Sequence, residues 1–338
     1  MFWFLITKER EFMKTKFSVN KFSKNTWSIA KIILLISPLL ILVLLFTLIP
    51  IGETFYKSLR FFPYRSNHKI VQINFKNYRN VFDDPSFKAA VQNTSAVLIL
   101  GTAISIFFAL VFAIIIESLI HKKAKSTVLG ILYSQFFIST FAVGLAFSLF
   151  FGEKKVFFRL FNIEQYGFTS GDHKTPIWIY YVLFQVWRSL PFNLILFAAA
   201  INKANAKYFR LMKVDKIALL HKIRYVYIPE LNKVMFSILF TNFIYAGLFL
   251  PDAILGANYN HDINHSHTLT SYTIKYFGGG SSPSLRYEKG YAAAFFSFIY
   301  LVSMLLLALL IQPSSLTWFK QKIIKLINKM KFKGAKNV

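Results

Sequence analysis

Residues Asn202–Lys233, NKANAKYFRLMKVDKIALLHKIRYVYIPELNK, join two apolar segments that are each of membrane-crossing length. A plain turn between two spans needs only a handful of residues. This join carries eight Lys/Arg against two acids, yet keeps Phe209, Leu211, Met212, Val214, Ile217, Leu219, Leu220 and Ile223 near helical spacing. A long, basic, partly apolar insert on one side of a membrane protein is built to dock something. It separates a passive pore from a machine driven by a partner.

Six apolar runs surround it: Ile32–Ile51, Ala96–Ile116, Thr127–Phe151, Pro176–Ile201, Val234–Leu250 and Tyr291–Gln312. About 20 apolar residues cross the roughly 30 Å hydrocarbon core as a helix. Helices or closed barrels alone satisfy their backbone in lipid, and these continuous runs lack the alternation of barrel strands. The 338 residues are 55% hydrophobic and 18% aromatic, with a mean hydropathy of +0.46, which a bilayer explains better than a large soluble core. The expected fold is all-α, a polytopic protein of six transmembrane helices. Its parts are a tail at 1–31, a membrane domain at 32–312 containing the join at 202–233, and a basic tail at 313–338.

Lys/Arg counts set the expected orientation. Both tails, the join after the second run and the join 202–233 hold 25 Lys/Arg, against 14 in the three opposite segments. Both ends and the long join are therefore expected on the cytoplasmic side of the plasma membrane. Leu316–Met330 places Leu316, Phe319, Ile323, Ile327 and Met330 on one helical stripe among lysines, a pattern suited to membrane lipid or to a solvated tail. The opening Met1–Ile6 precedes its basic residues and so does not read as a signal peptide.

The net charge of +26 is spread between spans with no soluble domain to form a groove, so nucleic acid is not an expected partner. With no cysteine, thiolate metal sites and cysteine nucleophiles are excluded. His261, Asp262, His265 and His267 carry ligand chemistry, but their Asn-, Ser- and Gly-rich surroundings suggest no rigid frame, and no metal is assigned. Gly278–Pro283 lacks the Lys-Ser/Thr ending of a phosphate loop and reads as a flexible loop. No Walker motif and no nucleophile arrangement stands out, so neither an enzyme nor a cofactor is expected.

These residues resemble the inner-membrane permease subunits of binding-protein-dependent ABC importers of the sugar type. That family's cytoplasmic loop reads Glu-Ala-Ala, then Asp-Gly, then Ile/Leu-x-Pro. Here Asp215 and Pro229 keep the fourteen-residue separation, with Ile228 before the proline and Tyr208-Phe209 ahead of the motif. The hallmark departs where Arg210, Leu211 and Met212 replace Glu-Ala-Ala and Lys216 replaces the glycine. Ser37-Pro38, Asn77-Tyr78, Phe82-Asp83-Asp84-Pro85, Asn93-Thr94, Trp187 to Phe192, Thr268-Leu269, Tyr272 and Gly290 to Ala294 agree in order and spacing, so the likeness covers about 27–313.

The resemblance implies a type I permease fold and a coupling helix held in a groove of a separate ABC ATPase, which binds the ATP. It further implies a second, homologous permease chain, an extracytoplasmic solute-binding protein, and a carbohydrate or glycerol-phosphate-like solute moved by alternating access. The implied coupling residues are Phe209, Arg210, Leu211, Met212, Asp215, Lys216, Ile228 and Pro229. Asp215 is placed to cap backbone amides, and Pro229 to fix the start of the fifth span by keeping Ile228 out of the helix.

Arg188 is the one charge well inside a span and must face the bundle interior or water. With Gln185, Ser189, Pro191 and Asn193 it forms a polar patch expected either to line the translocation path or to fix packing, with Pro191 opening the helix. The rivals are a self-sufficient secondary transporter or channel and a membrane scaffold. A secondary transporter calls for intramembrane carboxylates, and the span interiors hold no Asp or Glu.

Overall fold

The computed structural model describes residues 31–63, 70–119, 121–152, 154–169, 173–214, 217–256, 259–280 and 283–311. Residues 1–30 and the stretch Leu316–Met330 lie outside the described residues. The chain divides into two units, Met1–Lys57 and Ser58–Val338.

The first unit holds most of helix α1 (Lys31–Leu59), which exposes apolar side chains all round between Ile32 and Ile49 and carries a Glu53–Lys57 ion pair at 2.7 Å near its end. Its two prolines are each accommodated. Pro38 cannot donate to the carbonyl of Leu34, and the Ser37 hydroxyl donates to that carbonyl instead at 2.8 Å. A π-helical turn, Leu44–Leu48, widens the helix just before Ile49-Pro50 and makes room for the second ring.

The second unit opens with a two-residue antiparallel pair, β1 (Arg60–Phe61) and β2 (Gln72–Ile73), followed by α2 (Lys76–Phe82) and α3 (Pro85–Ser118). Helices α4 (Lys122–Ser134), α5 (Thr140–Phe151) and α6 (Val156–Leu160) follow, then a parallel pair, β3 (Tyr166–Gly167) and β4 (His173–Lys174). Helix α7 (Ile177–Val214) leads to α8 (Leu219–Lys222) and α9 (Ile228–Gly247). The short α10 (Asp252–Leu255) and α11 (Leu269–Lys275) precede α12 (Tyr287–Ile311).

Four of these, α1, α3, α7 and α12, are long and apolar enough to cross a membrane. The third apolar run is bent. After α4 the chain makes a 3-10 turn at Gln135–Phe137, and Ser139 caps α5 by accepting from the Ala142 amide at 3.1 Å. The fifth run lies on α9, which starts six residues before Val234 and so draws Glu230, Asn232 and Lys233 into its first turns.

Helices α3 and α7 meet along Gly101, Ser105, Ala109 and Ala113, one small buried residue per turn. A Cβ on Gly101 would lie 2.9 Å from Gln185 Cγ, so glycine sets the approach there. Facing the alanines are Leu194, Phe197, Ala198 and Ile201 of α7, with Leu231 and Ile238 of α9 completing the cluster. At the Pro85 end, Val81, Phe87 and Ala90 pack with Leu269, Tyr272, Ala292 and Ala293.

Candidate functional site

Residues 202–214 continue α7 without a break. Asp215 and Lys216, both expected coupling residues, lie outside the described residues. The chain returns through α8 and a π-helical turn, Ile223–Tyr227, directly into α9, so the described part of the join is largely helical. Phe209, Leu211, Val214, Leu219 and Leu220 are all more than half exposed, the last two at 63% and 77%. Arg210 is exposed beside them, whereas Met212 is half-buried against the α3–α7 core. Ile228 and Pro229 open α9, but Ile228 is itself helical, with φ −53° and ψ −43°. The expectation that the proline keeps Ile228 out of the helix is corrected here. The wide π turn ahead of it relieves the clash, as it does at Pro50.

Three residues brace this helical return. Tyr227 Oη donates to Asn205 Oδ1 at 2.9 Å, tying it to α7. The Glu230 carboxylate is almost fully buried and takes Lys233 at 2.6 Å and Lys207 at 3.6 Å. No sequence motif marked Asn205, Tyr227 or Glu230: the Tyr227–Asn205 and Lys207–Glu230 contacts join opposite arms of the return, and Lys233 joins Glu230 from the next turn of α9.

The polar patch of α7 divides in two. Gln185, Ser189 and Asn193 are fully buried between α3 and α9, with Ser105 and Asn242 as partners. Asn193 and Asn242 exchange amide hydrogen bonds at 2.7 and 3.3 Å. Asn193 Nδ2 and Ser189 Oγ also donate to Ser105 Oγ at 2.8 and 2.7 Å, and Gln185 Nε2 donates to the Asn242 carbonyl at 3.3 Å. Such interhelical bonds contribute about 0.6 kcal/mol each. Pro191 is also buried, inside an uninterrupted helix, so the helix is not opened there. Arg188 alone turns away from this seam, half-buried, its guanidinium 4.3 Å over the Tyr245 ring. Sequence reasoning missed Ser105 and Asn242; the signal open to it was a polar residue inside an apolar run, while their partners lie on another helix.

At the opposite end of the bundle, Asp84 caps α3 by accepting from the Ser86 amide at 3.0 Å. Its other oxygen accepts from Tyr272 at 2.8 Å, Tyr276 at 3.1 Å and Lys289 at 2.7 Å. Burial alone would raise the Asp84 carboxyl, but the Lys289 and Tyr272 hydrogen bonds and the Lys289 charge bring it down to about 2. Asn93 donates to the carbonyls of His265 and His267 at 3.0 and 2.9 Å, and Thr94 accepts from the Leu269 amide at 2.9 Å. Asp84, Asn93, Thr94, Leu269 and Tyr272, which lie far apart in the sequence and all belong to the family likeness, thus meet in one structural joint.

The His-rich loop is part of that joint, which corrects its reading as a loose segment. His261 and His267 are buried, and each ring spans a serine and a carboxylate. His261 pairs with Ser266 at 2.7 Å and Asp252 at 3.2 Å, and His267 with Ser271 at 3.1 Å and Asp262 at 3.2 Å. Among the described residues, no group of three metal-type ligands converges. Burial holds the His267 imidazole down to about 4 despite the neighbouring Asp262.

Against solved structures, the chain superposes on a bacterial ABC transporter involved in the import of the acidic polysaccharide alginate. The TM-score is 0.61 at 19% identity, over 84% of this chain and 96% of that one. A second structure, of an alginate ABC transporter in complex with an alginate pentasaccharide-bound periplasmic protein, gives a TM-score of 0.58 at 18% identity over 84% and 93%. The chain has the fold of an ABC importer permease subunit. It is a multi-pass membrane protein.

Sequence comparison agrees with the ABC permease fold. The chain is 24% identical over 194 residues, 54% of its own length, to a probable ABC transporter permease protein of Mycoplasma genitalium. It is 25% identical over 163 residues, 47% of its length, to an arabinooligosaccharides transport system permease protein of Halalkalibacterium halodurans. The chain spans 50 to 63% of the length of the curated relatives it matches. No protein-family model matches it.

Proposed function

We propose that this chain is a permease subunit of a binding-protein-dependent ABC importer, moving a carbohydrate or glycerol-phosphate-like solute by alternating access. The observation that carries the reading is the braced helical return after α7. Exposed Phe209, Leu211, Val214, Leu219 and Leu220 stand beside exposed Arg210 on a segment pinned by Tyr227–Asn205 and Glu230. Exposed apolar side chains grouped on a braced base are the kind of surface that serves as a partner site. A separate ATPase that grips it pushes on α7 and α9 together, and the Asn193–Asn242 seam transmits that push into the bundle. Catalysis and ATP binding fall to the partner.

In this reading the chain makes six spans, with the bent α4–α5 segment and α9 supplying the two that length and apolarity alone do not. The long join and both termini are cytoplasmic, and the Asp84 end faces outward towards a solute-binding protein. A second permease chain completes the pathway. Arg188 borders that pathway, positioned by Tyr245 and by the buried Gln185, Ser189, Pro191 and Asn193 behind it.

The absence of cysteine makes the test direct. Leu219→Cys or Leu220→Cys, in membranes containing the assembled system, is expected to cross-link to a Walker-containing subunit, and the tagged chain to co-purify with that subunit and another permease. A secondary transporter, channel or scaffold purifies without them and leaves the cysteine unreacted with any ATPase.

A further inference from the structure

We propose that α6 and the turn after it form an interfacial anchor, with their exposed apolar face sunk into the headgroup–acyl boundary of the leaflet at the Ile177 end of α7. The helix is only five residues long, Val156–Leu160, yet both its ends are fixed. The Asn162 and Ile163 amides donate to the carbonyls of Arg159 and Phe158 at 3.1 and 2.9 Å, a Schellman stop with Asn162 in the left-handed region at φ 54°. Ahead of the helix, Lys155 Nζ donates to the Glu164 carbonyl at 2.9 Å and draws the two ends of the segment together.

Aromatic packing sets where this segment sits. Phe147, Phe151, Phe157, Phe158, Phe168 and Tyr180 close a ring of side chains, each centroid 4.8–5.7 Å from the next. Tyr180 belongs to the first turn of α7, a helix of membrane-crossing length and apolarity whose apolar stretch begins at Ile177. That turn therefore lies at the hydrocarbon edge, and the ring holds α6 beside it. Here α6 presents Leu160 and Phe161, 72% and 62% exposed, and Val156 one turn before Leu160 is exposed as well. Exposed Lys154, Arg159, Asn162, Glu164 and Gln165 surround them. An apolar face with a polar rim suits an interface, where one enters the acyl boundary and the other meets headgroups. From Glu153 to Lys174 the chain holds four Lys/Arg against three Asp/Glu, so apolar burial rather than attraction to anionic lipid supplies the force. Lipid is the occupant because α7 itself brings the bilayer to this level. Anchored so, α6 sets the depth of Phe147 and Phe151 and with them the end of α5. The assignment needs only that α7 crosses the membrane, and is independent of the solute and of the coupling surface.

The test labels single cysteines in this cysteine-free chain with a nitroxide, the full chain being held with its co-purifying subunits in phosphatidylcholine nanodiscs. Leu160→Cys and Phe161→Cys are at exposed positions that spare the fold, and Gln165→Cys on the polar rim is the water-side control. Collision rates with oxygen, which concentrates in lipid, and with a water-soluble nickel chelate are read by electron paramagnetic resonance. At 160 and 161 the oxygen-to-nickel ratio is expected to be at least fivefold that at 165. It is expected to change by less than twofold when anionic phosphatidylglycerol replaces a third of the lipid. A ratio at 160 and 161 equal to that at 165 puts the face in water and overturns the anchor. Shielding of both labels from oxygen and nickel alike means that a protein subunit covers the face, and overturns it as well. A several-fold rise in the ratio only when anionic lipid is present overturns the apolar basis of the contact.

Discussion

The side-chain amide of Gln135 donates to the backbone carbonyl of Trp187 at 3.4 Å, the acceptor that Pro191 leaves without its helical donor four residues on. The bend between α4 and α5 therefore has a structural use. It brings a glutamine to the one weakened turn of α7, as Ser37 serves Leu34 before Pro38. A double-mutant cycle tests the relationship. Gln135→Ala is expected to cost about 0.5–1 kcal/mol in the natural background and close to nothing in Pro191→Ala, where the helix supplies its own donor. Reversible unfolding in mixed micelles measures both. Equal costs in the two backgrounds mean the bond carries no energy.

Glycine at 101 makes a second prediction. Gly101→Ala puts a methyl 2.9 Å from Gln185 Cγ and 3.1 Å from its Cβ, atoms too near the α7 backbone to swing away. Gln185 then loses its reach to the Asn242 carbonyl. A destabilisation of about 1–3 kcal/mol is expected, with Ala109→Leu on the same stripe at least as severe. If Gly101→Ala leaves the unfolding midpoint unmoved, the helices are not held at this spacing.

The apolar runs and the helical tendency of residues 202–214 were legible because membrane thickness and helix period act locally. What was not legible depended on distant partners. Ile201 read as the end of the fourth run because Asn202 and Lys203 are polar, yet Ala204 is fully buried and no glycine or proline intervenes, so α7 runs on. The His261–His267 loop read as loose from its Asn and Ser content. Its order comes from Asn93, more than 170 residues away, which takes the His265 and His267 carbonyls. Composition reports what a segment lacks locally, not what another segment supplies.

The same joint has a pH signature. His267 is held down to about 4 by burial, so between its ordinary value near 6.5 and about 4 the unfolded chain binds the extra proton. Stability is full above about 6.5 and falls as pH drops to about 4. Asp84, held down to about 2, acts in a lower window: its contribution is complete above about 3.9 and fades as pH falls through about 2. His267→Gln is expected to flatten the first slope and Asp84→Asn the second, with Asp84→Asn also less stable at neutral pH through the loss of Lys289. Thermal midpoints taken every half pH unit separate the two, and parallel curves for His267→Gln and the natural chain exclude the histidine.

The coupling surface calls for variants that spare the fold. Leu219 and Leu220 are mostly exposed, so Leu219→Ser with Leu220→Ser removes apolar contact area while changing the stability of this chain by no more than about 0.5 kcal/mol. Tyr227→Phe acts differently. It keeps the surface and removes the bond to Asn205, so the surface remains available but its base yields. The serine pair is expected to lower ATPase retention during purification. Tyr227→Phe is expected to keep the ATPase bound and to raise hydrolysis that is not matched by uptake. Scoring bound ATPase, hydrolysis and uptake in one vesicle preparation distinguishes grip from stiffness. Normal retention and uptake in the serine pair would move the motor's contact away from α8.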